Sequence, residues 1–263
     1  MAFTNLYTPP VQKISADEDP YGPDPYDLNY TFPINVESLE TERVALTPFI
    51  PSIHAKAFWN AIAPCADELF RYYPFKYKSL DDILTFFELH IRRDPTRVMF
   101  AVIDKTTPDP IHPEFGGGSL AGVVGLFSTS ASDLRSEIGH VLTFPAFQRT
   151  HVTGNAIGVL VKYCMDKPSA SPPGLGLRRL QWYCHPDNAK SARLAEKMGM
   201  RREGVLRWNA VIEPDPALVA HGRLPAKDDR YPDKPGRGTL VLAVCWDEWE
   251  AAREKVQAII DRP

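Results

Sequence analysis

The sequence predicts a mixed α/β (α+β) fold rather than a doubly wound parallel sheet. Two apolar runs, Val98-Met-Phe-Ala-Val-Ile103 and Leu120-Ala-Gly-Val-Val-Gly-Leu-Phe127, follow each other with only the loop TTPDPIHPEFGGGS between them, the pattern of an antiparallel hairpin. Later strands alternate instead with stretches of helical period, so hairpins and crossovers share one chain. No internal repeat appears.

The first elements can be read in order. Up to about Pro33 the string DEDPYGPDPYDLNYTFP cannot hold a helix, because each proline fixes φ and lacks a donor. An arm over residues 1–39 is expected, lying along the domain or covering a cleft, with one domain over 40–263. Arg43-Val-Ala-Leu-Thr47 is a first strand, stopped by Pro48. Ser52 precedes HAKAFWNAIA, where Ala57, Phe58, Ala61 and Ile62 fall on one helical face. Ser79-Leu-Asp-Asp places a capping hydroxyl and two carboxylates at the positive end of a second helix, with Ile83, Leu84, Phe86, Phe87 and Ile91 on its buried side.

The hairpin comes next, and then Ser136 to Thr143 as a strand, with Glu137, Gly139 and Val141 on one face and Ile138, His140 and Leu142 on the other. Helical spacing runs from Thr153 to Asp166, a strand from Leu177 to Cys184, and a helix from Asn188 to Met198 with Gly199 as its left-handed cap. Val205–Ile212 and Thr239–Val244 are strands on either side of a Pro- and Asp-rich loop, and DEWEAAREKVQAII is a closing amphipathic helix.

At 263 residues the chain can bury a sizeable core, and 44% hydrophobic with 24% charged residues excludes a wholly disordered or collagen-like chain. Basic and acidic residues number 30 and 33, so no summed positive field draws the molecule to nucleic acid or anionic lipid. Cys65, Cys164, Cys184 and Cys245 form no CxxC pair, which suits free thiols in a reducing compartment. No segment approaches the roughly 20 apolar residues of a membrane span, and the first residues lack the apolar stretch of a signal peptide. A cytoplasmic or nuclear location is expected. The histidines are isolated, without HExxH or a Cys/His cluster, so no metal is expected.

Two segments carry chemistry. GGGS at 116–119 lacks the following GK[ST] of a phosphate loop, and GLG at 174–176 precedes a strand, the wrong context for a dinucleotide fingerprint. PAFQRTHVTG, by contrast, passes from a strand end into a helix N-terminus, where free N–H groups and the helix dipole seat an anion. An ordinary capped helix after a loop would read the same way. In CHPDNAKSARLAEKMGMRREGVLRW, Asn188 and Ser191 stand at i and i+3 in the first turn of a helix, so both side chains lie near its N-terminus.

Together these segments resemble the Gcn5-related N-acetyltransferase (GNAT) superfamily, and within it the branch of the ribosomal-protein alanine acetyltransferases (RimJ/RimL). The resemblance covers about Glu40 to Trp249 and rests on TERVALTPF, SEIGHVLTFPAFQRTHVTGNA and LQWYCHPDNAKSARLAEKMGMRREGVLRW. It implies a mostly antiparallel sheet with one splayed parallel strand pair, flanked by helices, and transfer of the acetyl group of acetyl-CoA (coenzyme A) to a primary amine on a small molecule or a peptide N-terminus. Backbone groups at Val141, Leu142 and Thr143 would bind the pantetheine arm. The stretch Gln148, Arg149, Thr150, His151, Val152, Thr153, Gly154 and Asn155 would hold the pyrophosphate, and Asn188 and Ser191 would complete the cofactor side. Glu137 would be the base and Ser191 the acid. Tyr72, Tyr73, Trp182 and His185 would line the acceptor side, in a monomer or homodimer.

The pattern departs from the family at three places. Arg149 and His151 stand where the loop has glycines, and a Cβ hinders close backbone approach to phosphate. Asn155 stands where that branch has glutamate, and Ala195 where many members have the tyrosine that protonates the thiolate. A catalytically silent acyl-CoA-binding module and an interaction protein on the same fold therefore stay open as readings. The Pro-rich loop 213–235, together with the arm, would enclose the cleft and favour a small amine.

Overall fold

The computed structural model describes residues 2–262. Its centre is a seven-stranded sheet in the order β1-β2-β3-β4-β5-β7-β6, with β1 Val44–Pro48, β2 Val98–Asp104, β3 Ser119–Ser130, β4 Arg135–Thr143, β5 Arg179–Cys184, β6 Arg201–Val211 and β7 Gly236–Cys245. Every neighbouring pair is antiparallel except β4 with β5. The fold class expected from the sequence is the one observed.

Helices cover both faces because the central strands are apolar on both sides; all seven residues of β2 are buried. On one face lie α1 (Pro51–Ile62), the single turn α2 (Ala66–Leu69) and α3 (Leu80–Phe86), which runs on as a π-helical turn over Phe87–Arg92. Phe49, Phe58, Ile62, Ile83, Phe87 and Leu142 pack together there. On the other face α4 (His151–Met165), α5 (Ala189–Lys197) and α7 (Trp249–Ile260) bury Ile157, Leu160, Ala192, Ala195 and Val256 against Ile138, Leu180, Trp182 and Leu242. The remaining turn, α6 (Pro216–Val219), belongs to the long loop.

Local chemistry explains most boundaries. Ser79 caps α3 by accepting from the Asp82 N–H at 3.1 Å, and Gly199 takes φ +84° after α5. Ser52, in contrast, is the second residue of α1; the helix starts at Pro51, whose missing donor is no loss at N1, and no side chain caps it. Helix α4 starts two residues earlier than its apolar spacing suggests, because Thr150 caps it by accepting from the Val152 N–H at 3.2 Å. The edge strand β6 leaves Val205, Leu206, Trp208 and Val211 exposed.

The last residues of the N-terminal arm are tied down by backbone and tyrosine hydrogen bonds. Thr31 donates its N–H to the Pro95 carbonyl, the Tyr30 hydroxyl meets Thr129 at 3.0 Å, and the Tyr163 hydroxyl donates to the Pro33 carbonyl. Tyr30, Phe32 and Ile34 pack on the α4 core, while Glu18 and Asn29 meet Arg93 and Arg92 at the end of α3.

Candidate active site

β4 and β5 pair only from Arg135 with Arg179 to Ile138 with Trp182. Beyond that rung β4 continues to Thr143 and β5 to Cys184 without pairing, and a V opens between them. The cause is local. Opposite β3 the register passes from Gly125 with Gly139 to Val123 with Leu142, so His140 and Val141 together oppose Val124. His140 takes φ +53°. This is a β-bulge, which leaves one residue out of the ladder and bends the strand away from its neighbour.

The bulge also changes faces. Ile138 packs on the α4 side, whereas Leu142 packs on the α1–α3 side. His140 therefore shares the face of Glu137 instead of opposing it, the correction that an inserted residue imposes on period-2 alternation. Its ring is buried among Phe70, Tyr73, Phe75 and Phe86, and Nε2 lies 3.1 Å from the Tyr77 hydroxyl. Burial drives its pKa down to about 3, so it stays neutral.

Leu142 does not face the V. The Phe144 N–H donates to the Ala121 carbonyl, and ladder alternation then puts Leu142 in the next bonded pair with Val123. The backbone of Val141 and Thr143 points away from β3. The Val141 carbonyl accepts from the Tyr73 hydroxyl at 3.3 Å, and the Thr143 carbonyl from Gln148 Nε2 at 3.0 Å.

Glu137 sits one rung below the point of divergence, paired in register with Gln181. Burial pushes its carboxyl up to about 7, against the opposing pull of the Arg97 guanidinium, the Gln181 side chain and Arg237. Across the V, Asn188 caps α5 by accepting from the Ser191 N–H at 3.2 Å. Ser191 Oγ in turn accepts from the Trp182 indole N–H at 2.9 Å. Trp182 itself is 2% exposed in the α4 core and cannot line the acceptor side, a second correction. Ala195, also in that core, is fully buried.

The loop into α4 divides its donors. The Gln148 N–H goes to the Pro145 carbonyl, and the Val152 N–H is capped by Thr150. Gly154 lies at the fourth helical position. Arg149, Thr150, His151, Thr153 and Gly154 donate their N–H groups to no carbonyl outside the helix and stand at its positive end. Arg149 takes φ +65°, so the chain adopts at this position the left-handed turn a glycine would take. The His151 ring turns aside to the buried carboxylate of Asp104 at 3.2 Å. Asn155 is 1% exposed and spent on the interior: Oδ1 accepts from Thr41, and Nδ2 donates to the His151 and Ile260 carbonyls. It cannot reach a ligand at the helix end.

Aromatic rings and the long loop wall the other side. Tyr72 stacks on His185 at 5.5 Å and meets His221 at 4.8 Å. His185 Nδ1 accepts from the Asp187 N–H and Nε2 donates to the His221 carbonyl, so both ring nitrogens are occupied. The loop is pinned to the α2–α3 segment by the Glu213 N–H on the Pro74 carbonyl and by Lys76 with Asp215 at 3.0 Å. Arg237, which sequence spacing missed because the last strand reads only from Thr239, begins β7 on the same side. Its interruption of an apolar run, GRGTLVLAV, was the available signal. No group of three or more His, Cys, Asp or Glu placed to hold a metal occurs among the described residues, and no helix among them is long and apolar enough to cross a membrane.

A mixed sheet with one splayed parallel pair, a bulge at the opening and a helix N-terminus above it defines an acyltransferase-type cleft. A model of the acetyltransferase (GNAT) domain matches residues 43–201, and the chain belongs to that family. A GCN5-related N-acetyltransferase from Brucella melitensis is 23% identical, with TM-score 0.64 and 85% of each chain covered. A putative acetyltransferase from T. thermophilus is 21% identical, with TM-score 0.62, covering 87% of this chain and 98% of that one. Spermidine N-acetyltransferase from Vibrio cholerae, solved with CoA and spermine, is 15% identical with TM-score 0.56, covering 80% and 99%. No curated protein is a significant match.

Proposed function

We propose that the chain transfers the acetyl group of acetyl-CoA to a small primary amine by direct attack. One observation supports this reading above the others: a half-buried carboxyl, Glu137, pushed up to about 7 at the last rungs before the strands part. An acid so placed is poised to take a proton near neutral pH.

The residues present fit the cofactor. The N–H groups of Val141 and Thr143 face the gap, their carbonyls being held by Tyr73 and Gln148, and the N–H groups of Arg149, Thr150, His151, Thr153 and Gly154 offer a seat for the pyrophosphate. When bound, acetyl-CoA supplies an activated acyl carbon. The residue left out of the ladder at the His140–Val141 bulge presents a preorganised N–H to the acyl oxygen. Glu137 relieves the attacking nitrogen of its proton as the C–N bond forms, directly or through one water. Ser191, its oxygen held by Trp182, keeps its own hydrogen free for the sulfur as the C–S bond breaks. Asn188, whose Oδ1 is engaged, retains its NH₂ for the pantetheine. The pinned loop narrows the acceptor side, which favours a small amine over a peptide N-terminus.

The test is a thermal-shift titration with acetyl-CoA followed by thiol release with a panel of amines and peptides. At 100 times Kd a ligand of the native state stabilises by about 2.7 kcal/mol. No rise in Tm would remove the reading, and a rise without thiol release from any acceptor would leave a silent binder.

A further inference from the structure

We propose that Arg237 is the anchor for an oxyanion on the acceptor, and that the acceptor is a small primary amine carrying a carboxylate or phosphate close to its amino group. The inference rests on the transferase reading above.

Arg237 stands on the acceptor face. β5 and β7 alternate regularly, with Leu180, Trp182, Leu240 and Leu242 on the α4 side, so Gln181 and the odd residues at the start of β7 project to the opposite face, shared with Glu137. The groups that feel the Arg237 charge are those around the V: Tyr73, Cys184, Glu137 and His185.

Its guanidinium is unspent. Nε is buried without a hydrogen-bond partner, in a protein interior where such donors are almost always satisfied. Burial disfavours its charge, and no described carboxylate pairs with it to compensate. Arg97, the other guanidinium near Glu137, shows the contrast: it pairs with Asp94 at 2.9 Å and donates to the His90 carbonyl at 3.1 Å. An unpaired cation retained in a cleft wall is a binding group awaiting its anion, and the forked guanidinium suits planar carboxylate and phosphate oxygens.

Glu137 and Arg237 do not neutralise each other, since they interact through space without forming an ion pair. The cleft thus presents an acid and a cation on one face, held apart. A zwitterion is the complement, with its nitrogen toward Glu137 and its oxyanion toward Arg237. A polyamine would instead place a second positive charge against the guanidinium, and a bare alkylamine would leave that guanidinium dry and unpaired.

The full-chain protein can decide this by thiol release at pH 8 with β-alanine, O-phosphoethanolamine, propylamine and spermidine, in wild type, Arg237→Met and Arg237→Lys. The expected result is a preference of at least about 30-fold in kcat/KM for one oxyanion-bearing amine over propylamine; which of the two wins identifies the oxyanion. Arg237→Met should remove most of that preference through KM, Arg237→Lys should restore part of it, and the KM for acetyl-CoA should stay within about twofold. Loss of a half-buried, unpaired cation should not lower Tm. Equal use of propylamine or spermidine, an equal loss for every acceptor in Arg237→Met, or weakened acetyl-CoA binding would overturn the proposal. So would turnover of none of the four while acetyl-CoA still raises Tm. If acetyl-CoA fails to raise Tm, the transferase reading falls first and the inference with it.

Discussion

The indole of Trp182 donates to the hydroxyl of Ser191 at 2.9 Å, joining the buried core to the rim of the cleft. The bond fixes Oγ as an acceptor on one side and leaves its hydrogen for the other. Burial pushes the neighbouring Cys184 thiol up while Ser191 pulls it back. Ser191→Ala should therefore do two things. It should lower kcat by about 100-fold, and it should cost about 1–3 kcal/mol of stability because the Trp182 donor loses its acceptor. Chemical denaturation alongside steady-state kinetics reads both. A full-rate Ser191→Ala enzyme would remove Ser191 as the acid.

Glu137 gives the pH dependence. Its folded pKa of about 7 lies above the ordinary 4.5, so the native state holds this proton more tightly than the unfolded chain. Stability from this group is complete below about 4.5 and is lost as pH rises through about 7. Activity runs the other way, because the ionised form is the base: kcat/KM should rise tenfold per pH unit below 7 and level off above it. Glu137→Gln should abolish that rise, slow turnover by at least about 100-fold, and stabilise the fold by roughly 1–3 kcal/mol at pH 8 but not at pH 4. Equal Tm values for the two proteins at pH 8 would deny the burial cost.

Asn155 tests where the cofactor seat ends. The side chain ties α4 to Thr41 and to the last turn of α7 through the Ile260 carbonyl. Asn155→Ala should lower stability by about 1–3 kcal/mol through unsatisfied interior groups, with acetyl-CoA affinity by titration calorimetry unchanged within about twofold. A tenfold loss of affinity at unchanged Tm would return Asn155 to the binding loop.

The strands, the helices and the strand–loop–helix frame of the site are legible in the sequence because each rests on local chemistry: apolar period, the Ser79 and Asn188 caps, the Gly199 stop. The bulge is not, since an inserted residue leaves no mark on an alternation that still reads polar and apolar through Ser136–Thr143. One such residue moved His140 to the other face and withdrew Leu142 from the V. Trp182 and Asn155 were misplaced for a related reason: position beside a site residue in sequence says nothing about which core a side chain enters. Arg237 needed the tertiary fold, because only sheet order brings β7 beside β5.

Arg149 is the remaining departure that bears on ligand affinity. At φ +65° a side chain with a Cβ is strained, by roughly 1–2 kcal/mol, and glycine is not. The loop nonetheless keeps the left-handed turn, since Thr150 holds both the Val152 N–H and the Phe147 carbonyl and so fixes the residue before it. Strain and charge can be separated by two variants that both remove the guanidinium. Arg149→Gly should be about 1 kcal/mol more stable than Arg149→Ala, because only alanine keeps the strained φ. If the guanidinium contacts phosphate, both should weaken acetyl-CoA by about fivefold or more, with the loss shrinking as salt is raised from 0.05 to 0.5 M. If the backbone alone carries the contact, Arg149→Gly should bind acetyl-CoA at least as tightly as the wild type. Equal stability of the two variants would show that the turn relaxes once the long side chain is gone.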